Sequence, residues 1–320
     1  MKAAINTVYG APEVVVVGEA PNPEAGEGEV LIRVHATTVN RTDCGMRTPY
    51  PLFARAFIGL FKPKLHILGL DFAGVVEAVG AGVTAFKPGD KVFGLSPNVY
   101  GAHAEYICVP ANSSITHMPN GVDFAEAAPL EGAWYADMSL QAFNIGPGHK
   151  ILIYGTSGAI GTAALQLAKA YGASVTAVTS SAHLALAEQL GADRVVDYEQ
   201  EDFTALDEAY DFALDAVGKQ SYFRFRKVLK PKGIFASTDL GSWGEVMWLA
   251  LWSKITGNRR VIFPMPKASK ALIETMKARI EAGQYRAVID RRYRLDDIVE
   301  AYRYVETGQK VGNVIIDVAP

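Results

Sequence analysis

"LIYGTSGAIGTAALQLAKAYGASVTAVTSS", Leu152 to Ser181, passes from an apolar strand through three glycines into a helix and then into a second strand. Gly155, Gly158 and Gly161 stand three residues apart, between a strand predicted over Lys150 to Tyr154 and a helix predicted to start at Ala159. Glycines at such a turn leave room for a pyrophosphate to reach the unpaired N–H groups at a helix N-terminus, where the helix dipole also favours an anion. Ile160, Ala164, Leu167 and Tyr171 recur at helical spacing and predict the face that packs on a sheet, and Gly172 ends the helix. Strand, turn, helix and strand in this order make the stretch a dinucleotide-binding candidate, with Gly155, Thr156, Gly158, Ala159, Ile160 and Gly161 at the pyrophosphate. The competing reading is a glycine turn with no ligand.

Outward from this stretch the chain changes character. Between Pro119 and Phe263 apolar strands alternate with helical segments, "KILIYG", "SVTAVTS", "RVVDY", "YDFALDAVG", "KGIFAST" and "RRVIFPM" supplying the strands. That alternation predicts a doubly wound parallel sheet. From Lys2 to Pro110, short β-branched runs cut by Gly, Pro and Asn predict a mostly-β, barrel-like unit. The tail offers two helices, "KASKALIETMKARIEAG" and "LDDIVEAYRYVETG", and a strand, "NVIIDV". The chain is therefore expected to be α/β with two domains.

In dinucleotide sites that select NAD, an Asp or Glu about 20 residues beyond the loop takes the ribose 2′-hydroxyl and repels a 2′-phosphate. The corresponding stretch here, Val178 to His183, holds hydroxyls and one imidazole but no carboxylate. This predicts NADPH, with Ser180, Ser181 and His183 around the 2′-phosphate. The same residues also read as helix N-cap groups on a surface turn, and the two readings are compatible. Asp215 to Gly218, "DAVG", closes the fourth strand of the alternating region, where open α/β sheets bind cofactors; Val217 and Gly218 are predicted to border the cofactor.

Bulk properties narrow the classes of function. The 320 residues exceed one typical core, 49% are apolar, 20% are charged, and the net charge of −3 gives no attraction to nucleic acid. Cys44 and Cys108 are the two cysteines, far apart and without CxxC spacing, so neither a disulfide scaffold nor a thiolate metal cluster is expected. The opening "MKAAINTVYG" lacks the apolar core of a secretory signal, and a cytoplasmic protein is expected.

With these motifs in hand, the sequence resembles the medium-chain dehydrogenase/reductase superfamily, in its zinc-independent, quinone oxidoreductase-like branch. The resemblance rests on "GEVLIRVHATTVNRTD", "ILGLDFAGVVEAVGAGVTAFKPGDKVFG", "GAHAEY", the glycine-loop stretch, "LGADRVVDY" and "GQKVGNVII", in that order over nearly the whole chain. It implies a GroES-like, mostly-β catalytic domain over residues 1–120, a Rossmann-like domain over 121–264, a return to the catalytic domain over 265–320, and an active cleft at the junction. It also implies a homodimer joined through the last sheet strand, near Arg260 to Phe263. Asn40 stands where the zinc alcohol dehydrogenases carry a cysteine ligand and Leu70 where they carry a histidine, so no metal is expected.

The resemblance further implies site residues. Asn40 and Asp43 match an Asn-x-x-Asp turn near the nicotinamide, though an Asx turn closing a strand is the plain alternative. Gly45 replaces a tyrosine frequent in the family, leaving Tyr50 as the nearest phenol. Trp134 occupies a position often held by threonine and is a candidate pocket wall beside Tyr135, a candidate hydroxyl donor; packing of a helix on the sheet is the alternative for both. Tyr198 matches a tyrosine near the 2′-phosphate, and Asn313, after Gly312, matches a segment near the cofactor. His183 replaces a Lys or Arg, so its attraction for the phosphate depends on protonation.

The expected activity is hydride transfer from NADPH to a small apolar quinone or α,β-unsaturated carbonyl, without zinc. An NADPH-binding redox sensor or structural protein with little turnover is the second reading. Two apolar inserts, "YPLFARAFIGLFKPKLHIL" with Phe53, Phe57, Leu60 and Phe61 and "SWGEVMWLALWSK" with Trp243, Trp248 and Trp252, are expected to form a lid and cleft wall for a ring substrate in preference to a dimer contact or a membrane-surface patch, with core packing the plain alternative for the individual residues.

Overall fold

A computed structural model describes every residue except Pro51, Arg259, Pro266 and Pro320, and the side chains of Phe53 and Ser242 also lie outside the described set. Phe53, counted above in the first apolar insert, is therefore not placed. The chain divides into two compact units: Met1–Glu131 with Ala268–Gly283 and Ala287–Pro320, and Gly132–Lys267 with Gln284–Arg286.

In the second unit the strands Lys150–Tyr154, Ser174–Thr179, Arg194–Asp197, Tyr210–Asp215, Leu229–Ser237 and Val261–Ile262 are, in chain order, first to sixth. Among the described residues they form one parallel sheet in the order third, second, first, fourth, fifth, sixth. Chain order reverses beside the first strand, between it and the fourth, which is the switch point where such sheets bind ligands. Ile151, Leu152 and Ile153 are fully buried, as expected of a strand covered on both faces. The helix Ala159–Ala170 follows the first strand and buries Ala159, Ala163, Ala164, Leu165, Leu167 and Ala168. Ile160 and Tyr171, expected on its packed face, are only half-buried: the alanines centre that face one residue away from the predicted line.

In the first unit the strand Glu29–Val39 is the hub, pairing antiparallel with Asp71–Val79, Tyr106–Pro110 and Asn313–Asp317. Its Val30, Ile32, Val34 and Ala36 alternate into the core. Lys91–Leu95 and Ile115–His117 extend the sheet on one side, and Ile289–Arg294, a strand the sequence reading did not include, extends it on the other. GroES-like β unit and Rossmann-like parallel sheet are thus both present. No helix among the described residues is long and apolar enough to cross a membrane.

Candidate functional site

The first strand of the parallel sheet delivers the glycine loop. Gly155 has φ +83°, and a Cβ there would lie 1.9 Å from Val217 Cγ2. At Gly161 a Cβ would lie 2.1 Å from the Gly155 carbonyl oxygen. Packing alone therefore demands glycine at both positions. Gly158 differs. It is the N-cap of the Ala159–Ala170 helix in extended conformation, and a Cβ there would meet nothing nearer than the Gly155 carbonyl oxygen at 3.9 Å. Its missing side chain leaves open space at the N-terminus of this helix, whose first-turn N–H groups have no partner within a helix. That cradle fits a pyrophosphate.

The rest of the predicted cofactor set, Asn313 apart, belongs to the same unit. Gly155 N–H donates to the Val178 carbonyl at 2.9 Å, tying the loop to the end of the second strand. Asp215 accepts the N–H groups of Val217, Gly218 and Gln220 at 3.0, 2.9 and 3.0 Å, so its buried carboxylate anchors the loop that carries Val217 and Gly218. Tyr198 N–H donates to the Thr179 carbonyl at 3.0 Å, which ties its backbone to the end of the second strand just before Ser180, while its ring stacks on that of Tyr154 with centroids 5.7 Å apart. Ser180 stands at the N-cap of the turn Ser181–His183 without making a side-chain cap bond.

The stretch Val178 to His183 itself holds no carboxylate, but two reach it from later in the sequence. Parallel pairing sets Asp197 opposite Thr179. Ser181 Oγ donates to Asp197 Oδ2 at 2.5 Å and Ser181 N–H to Glu199 Oε2 at 3.1 Å. The carboxylates missing from the local sequence arrive from the neighbouring strand, and their charge opposes a 2′-phosphate at Ser181.

The remaining predicted residues are placed differently. In the first unit, Asn40 is buried as the N-cap of Arg41–Arg47, and its N–H donates to Asp43 Oδ2 at 2.9 Å in a capping box. Asp43 Oδ1 accepts the Gly69 N–H at 3.1 Å. Tyr50 is 65% exposed. Asn313 is buried, and its amide donates to the Val288 carbonyl at 3.0 Å. In the second unit, Trp134 is buried with its indole Nε1 unpartnered and its ring centroid 5.3 Å from that of Tyr135. The loop and 2′-edge residues thus lie within the second unit, whereas the five predicted catalytic residues are divided between the units, Asn40, Asp43 and Tyr50 in the first and Trp134 and Tyr135 in the second.

Around Asn40 lies a buried polar cluster that sequence reasoning missed. Asn40 Nδ2 donates to Thr38 Oγ1, and Thr38 Oγ1 donates to Asp71 Oδ1, both at 2.5 Å. Asp71 Oδ2 accepts the N–H groups of Leu130 and Glu131 at 3.0 and 3.2 Å. Thr42 Oγ1 donates to Glu131 Oε1, while Oε2 is buried and unpartnered. Burial pushes Asp71 up to about 6 and raises Glu131 well above the usual carboxylate range, with Asp43 and Asp71 adding to the latter. Lys310 donates from Nζ to the Gly312 carbonyl at 2.6 Å, and desolvation of its ammonium, opposed by Glu131, lowers it to about 8.

The cluster does not suit zinc. Leu70 offers no donor, the Asn40 amide is committed to Thr38, and three hydrogen bonds already fill the Asp71 carboxylate. His103 is likewise held at both ring nitrogens, Nε2 lying 2.8 Å from the Thr38 carbonyl and Nδ1 3.3 Å from the Tyr302 hydroxyl.

Comparison with known proteins agrees with this architecture. Residues 26–120 match the alcohol dehydrogenase GroES-like domain family and residues 190–316 the zinc-binding dehydrogenase family. The chain is 32% identical to a 2-methylene-furan-3-one reductase of Solanum lycopersicum, over 100% of this chain and 80% of that protein. It is 31% identical to a chloroplastic NADPH-dependent alkenal/one oxidoreductase of Arabidopsis thaliana, over 99% and 79%. The structure of a quinone oxidoreductase from Coxiella burnetii superposes with TM-score 0.88 at 27% identity, covering 100% of this chain and 99% of that one.

Proposed function

The chain belongs to the medium-chain dehydrogenase/reductase family and is an oxidoreductase using a nicotinamide dinucleotide; we propose that it is a zinc-free, NADPH-dependent reductase of a quinone or an α,β-unsaturated carbonyl. The observation that carries this reading is the open cradle over Gly158, at the point where the order of the parallel strands reverses. Gly155, Thr156, Gly158, Ala159, Ile160 and Gly161 hold the pyrophosphate through backbone N–H groups, and Val217 and Gly218 border the cofactor. His183 and Tyr198 contact the 2′-phosphate. Asp197 and Glu199 weaken that selection, so NADH is also accepted.

When bound, the dinucleotide supplies a hydride from its reduced nicotinamide ring. A donor set without a metal ligand at Leu70 suits acceptors whose own conjugation spreads the charge left by hydride addition, as quinones and enones do. The similarity to a 2-methylene-furan-3-one reductase and to an alkenal/one oxidoreductase supports the same class. Initial rates of NADPH and NADH oxidation against quinones, alkenals and alkenones, with and without chelator, test the proposal. Chelator-resistant turnover on conjugated acceptors is expected. No oxidation of either cofactor by these conjugated acceptors, oxidation by saturated ketones alone in the same assay, or turnover abolished by chelator would overturn it.

A further inference from the structure

The helix Glu245–Ile255, "EVMWLALWSKI", is apolar on two faces. Val246, Leu249, Ala250 and Ser253, at positions one helical face apart, are buried or packed against the core of the second unit. Ser253 Oγ accepts the N–H groups of Arg260 and Val261 at 2.7 and 3.0 Å, which pins the helix to the edge strand. The other face is therefore held in place. It presents Met247, Trp248, Leu251, Trp252 and Ile255, with Trp248 65%, Trp252 64% and Ile255 70% exposed. Just ahead of the helix Trp243 is 100% exposed at φ +57°, a region bulky side chains rarely adopt. Three of the four tryptophans of the chain thus lie on one segment in solvent, while Trp134 is buried. The three indoles alone expose on the order of 500 Å², as much as the largest apolar patch of a typical monomer.

Charge selects the occupant of this face. The chain carries a net charge of −3, yet from Val246 to Lys267 it holds Lys254, Arg259, Arg260 and Lys267 and no Asp or Glu. Glu245, the acid nearest the stripe in sequence, has Oε1 engaged by Ser221 Oγ and Tyr222 N–H at 2.7 and 3.1 Å. A second copy of the chain docked through the same face in a twofold contact would bring the exposed Lys254 of both copies into one interface, to which the segment from Val246 to Lys267 contributes no carboxylate. An anionic lipid surface meets both halves of the chemistry: indoles partition into the headgroup boundary, and cations beside them pair with lipid phosphates and carboxylates. We propose that the exposed face of Trp243 and the Glu245–Ile255 helix attaches this protein to anionic membrane surfaces as a peripheral, non-spanning anchor. Leu52, Phe57, Leu60 and Phe61 of the first unit, exposed among Arg55, Lys62 and Lys64, have the same make-up.

The test is co-sedimentation of the full chain with phosphatidylcholine vesicles, with and without roughly 30 mol% phosphatidylserine, followed by tryptophan emission. The expected result is binding to the anionic vesicles alone, a blue shift of emission, and release by added salt. Trp248→Ser with Trp252→Ser should lower the partition coefficient about tenfold or more, and Lys254→Glu should also weaken it, with thermal midpoints unchanged. Equal binding by wild type and both variants, or no binding to either vesicle, would overturn the proposal. So would a dimer in sedimentation velocity that the tryptophan changes abolish while vesicle binding is absent, which would assign the stripe to a second copy.

Discussion

Ser181 donates to two carboxylates, Asp197 and Glu199, at the edge where the dinucleotide's adenosine end is expected, and this juxtaposition makes the proposed cofactor preference testable. A phosphate placed there meets negative charge; a ribose hydroxyl meets acceptors. Asp197→Asn with Glu199→Gln should therefore lower KM for NADPH by about 3- to 10-fold, raise KM for NADH, and leave kcat nearly unchanged, since neither group touches the reacting carbon. Steady-state kinetics with both cofactors reads this directly. Lys310 offers a second residue-level test. Its ammonium, ordinarily near 10.5, is pushed down to about 8 by desolvation. The folded state disfavours the charged form, so between those values the unfolded chain binds more protons and stability rises with pH. Relative to Lys310→Met, the wild type should gain stability from about pH 8 to 10.5, by at most about 3 kcal/mol, less whatever water screens. Urea midpoints at a series of pH values check the sign.

At the scale of elements, the edge strand Val261–Ile262 and the tryptophan-bearing helix form one unit through Ser253. Ser253→Ala removes the partner of the buried Val261 N–H, while Arg260 N–H keeps its 3.0 Å bond to Asn258 Oδ1. The expected loss is about 1–3 kcal/mol, with faster amide exchange confined to this helix and strand. The strands of the parallel sheet were readable because full burial makes them near-continuous apolar runs. Ile289–Arg294 was not, because Asp290, Arg291, Arg292 and Arg294 mask its alternation, as charges do on an edge strand. The helix after the glycine loop was readable in position and in half of its packed face: Ala164 and Leu167 are buried as expected, while Ile160 and Tyr171 are half-buried and neighbouring alanines take their place.

Across the whole molecule, what the sequence disclosed follows contiguity. Gly155, Gly158 and Gly161 lie within one turn, and their meaning is local. Asp197 meets Ser181 only because the second and third strands pair in register, and a reading that aligned the ends of "SVTAVT" and "RVVD" would have found it. Thr42 and Glu131, 89 residues apart, meet only through the tertiary fold, as does the pairing of Thr38 with Asp71, and nothing in the local sequence marks either. The same division separates the glycine cradle, which the chain spells out, from the polar cluster, which it assembles. The most direct measurement is the affinity of NADPH and NADH for wild type and Gly158→Ala, by titration calorimetry, with thermal midpoints in parallel. Because the added methyl meets no protein atom nearer than 3.9 Å, the variant should fold with a midpoint within a few degrees of wild type, yet bind both dinucleotides about tenfold or more weakly. Unchanged affinity in a folded Gly158→Ala protein would contradict a pyrophosphate seated at this loop.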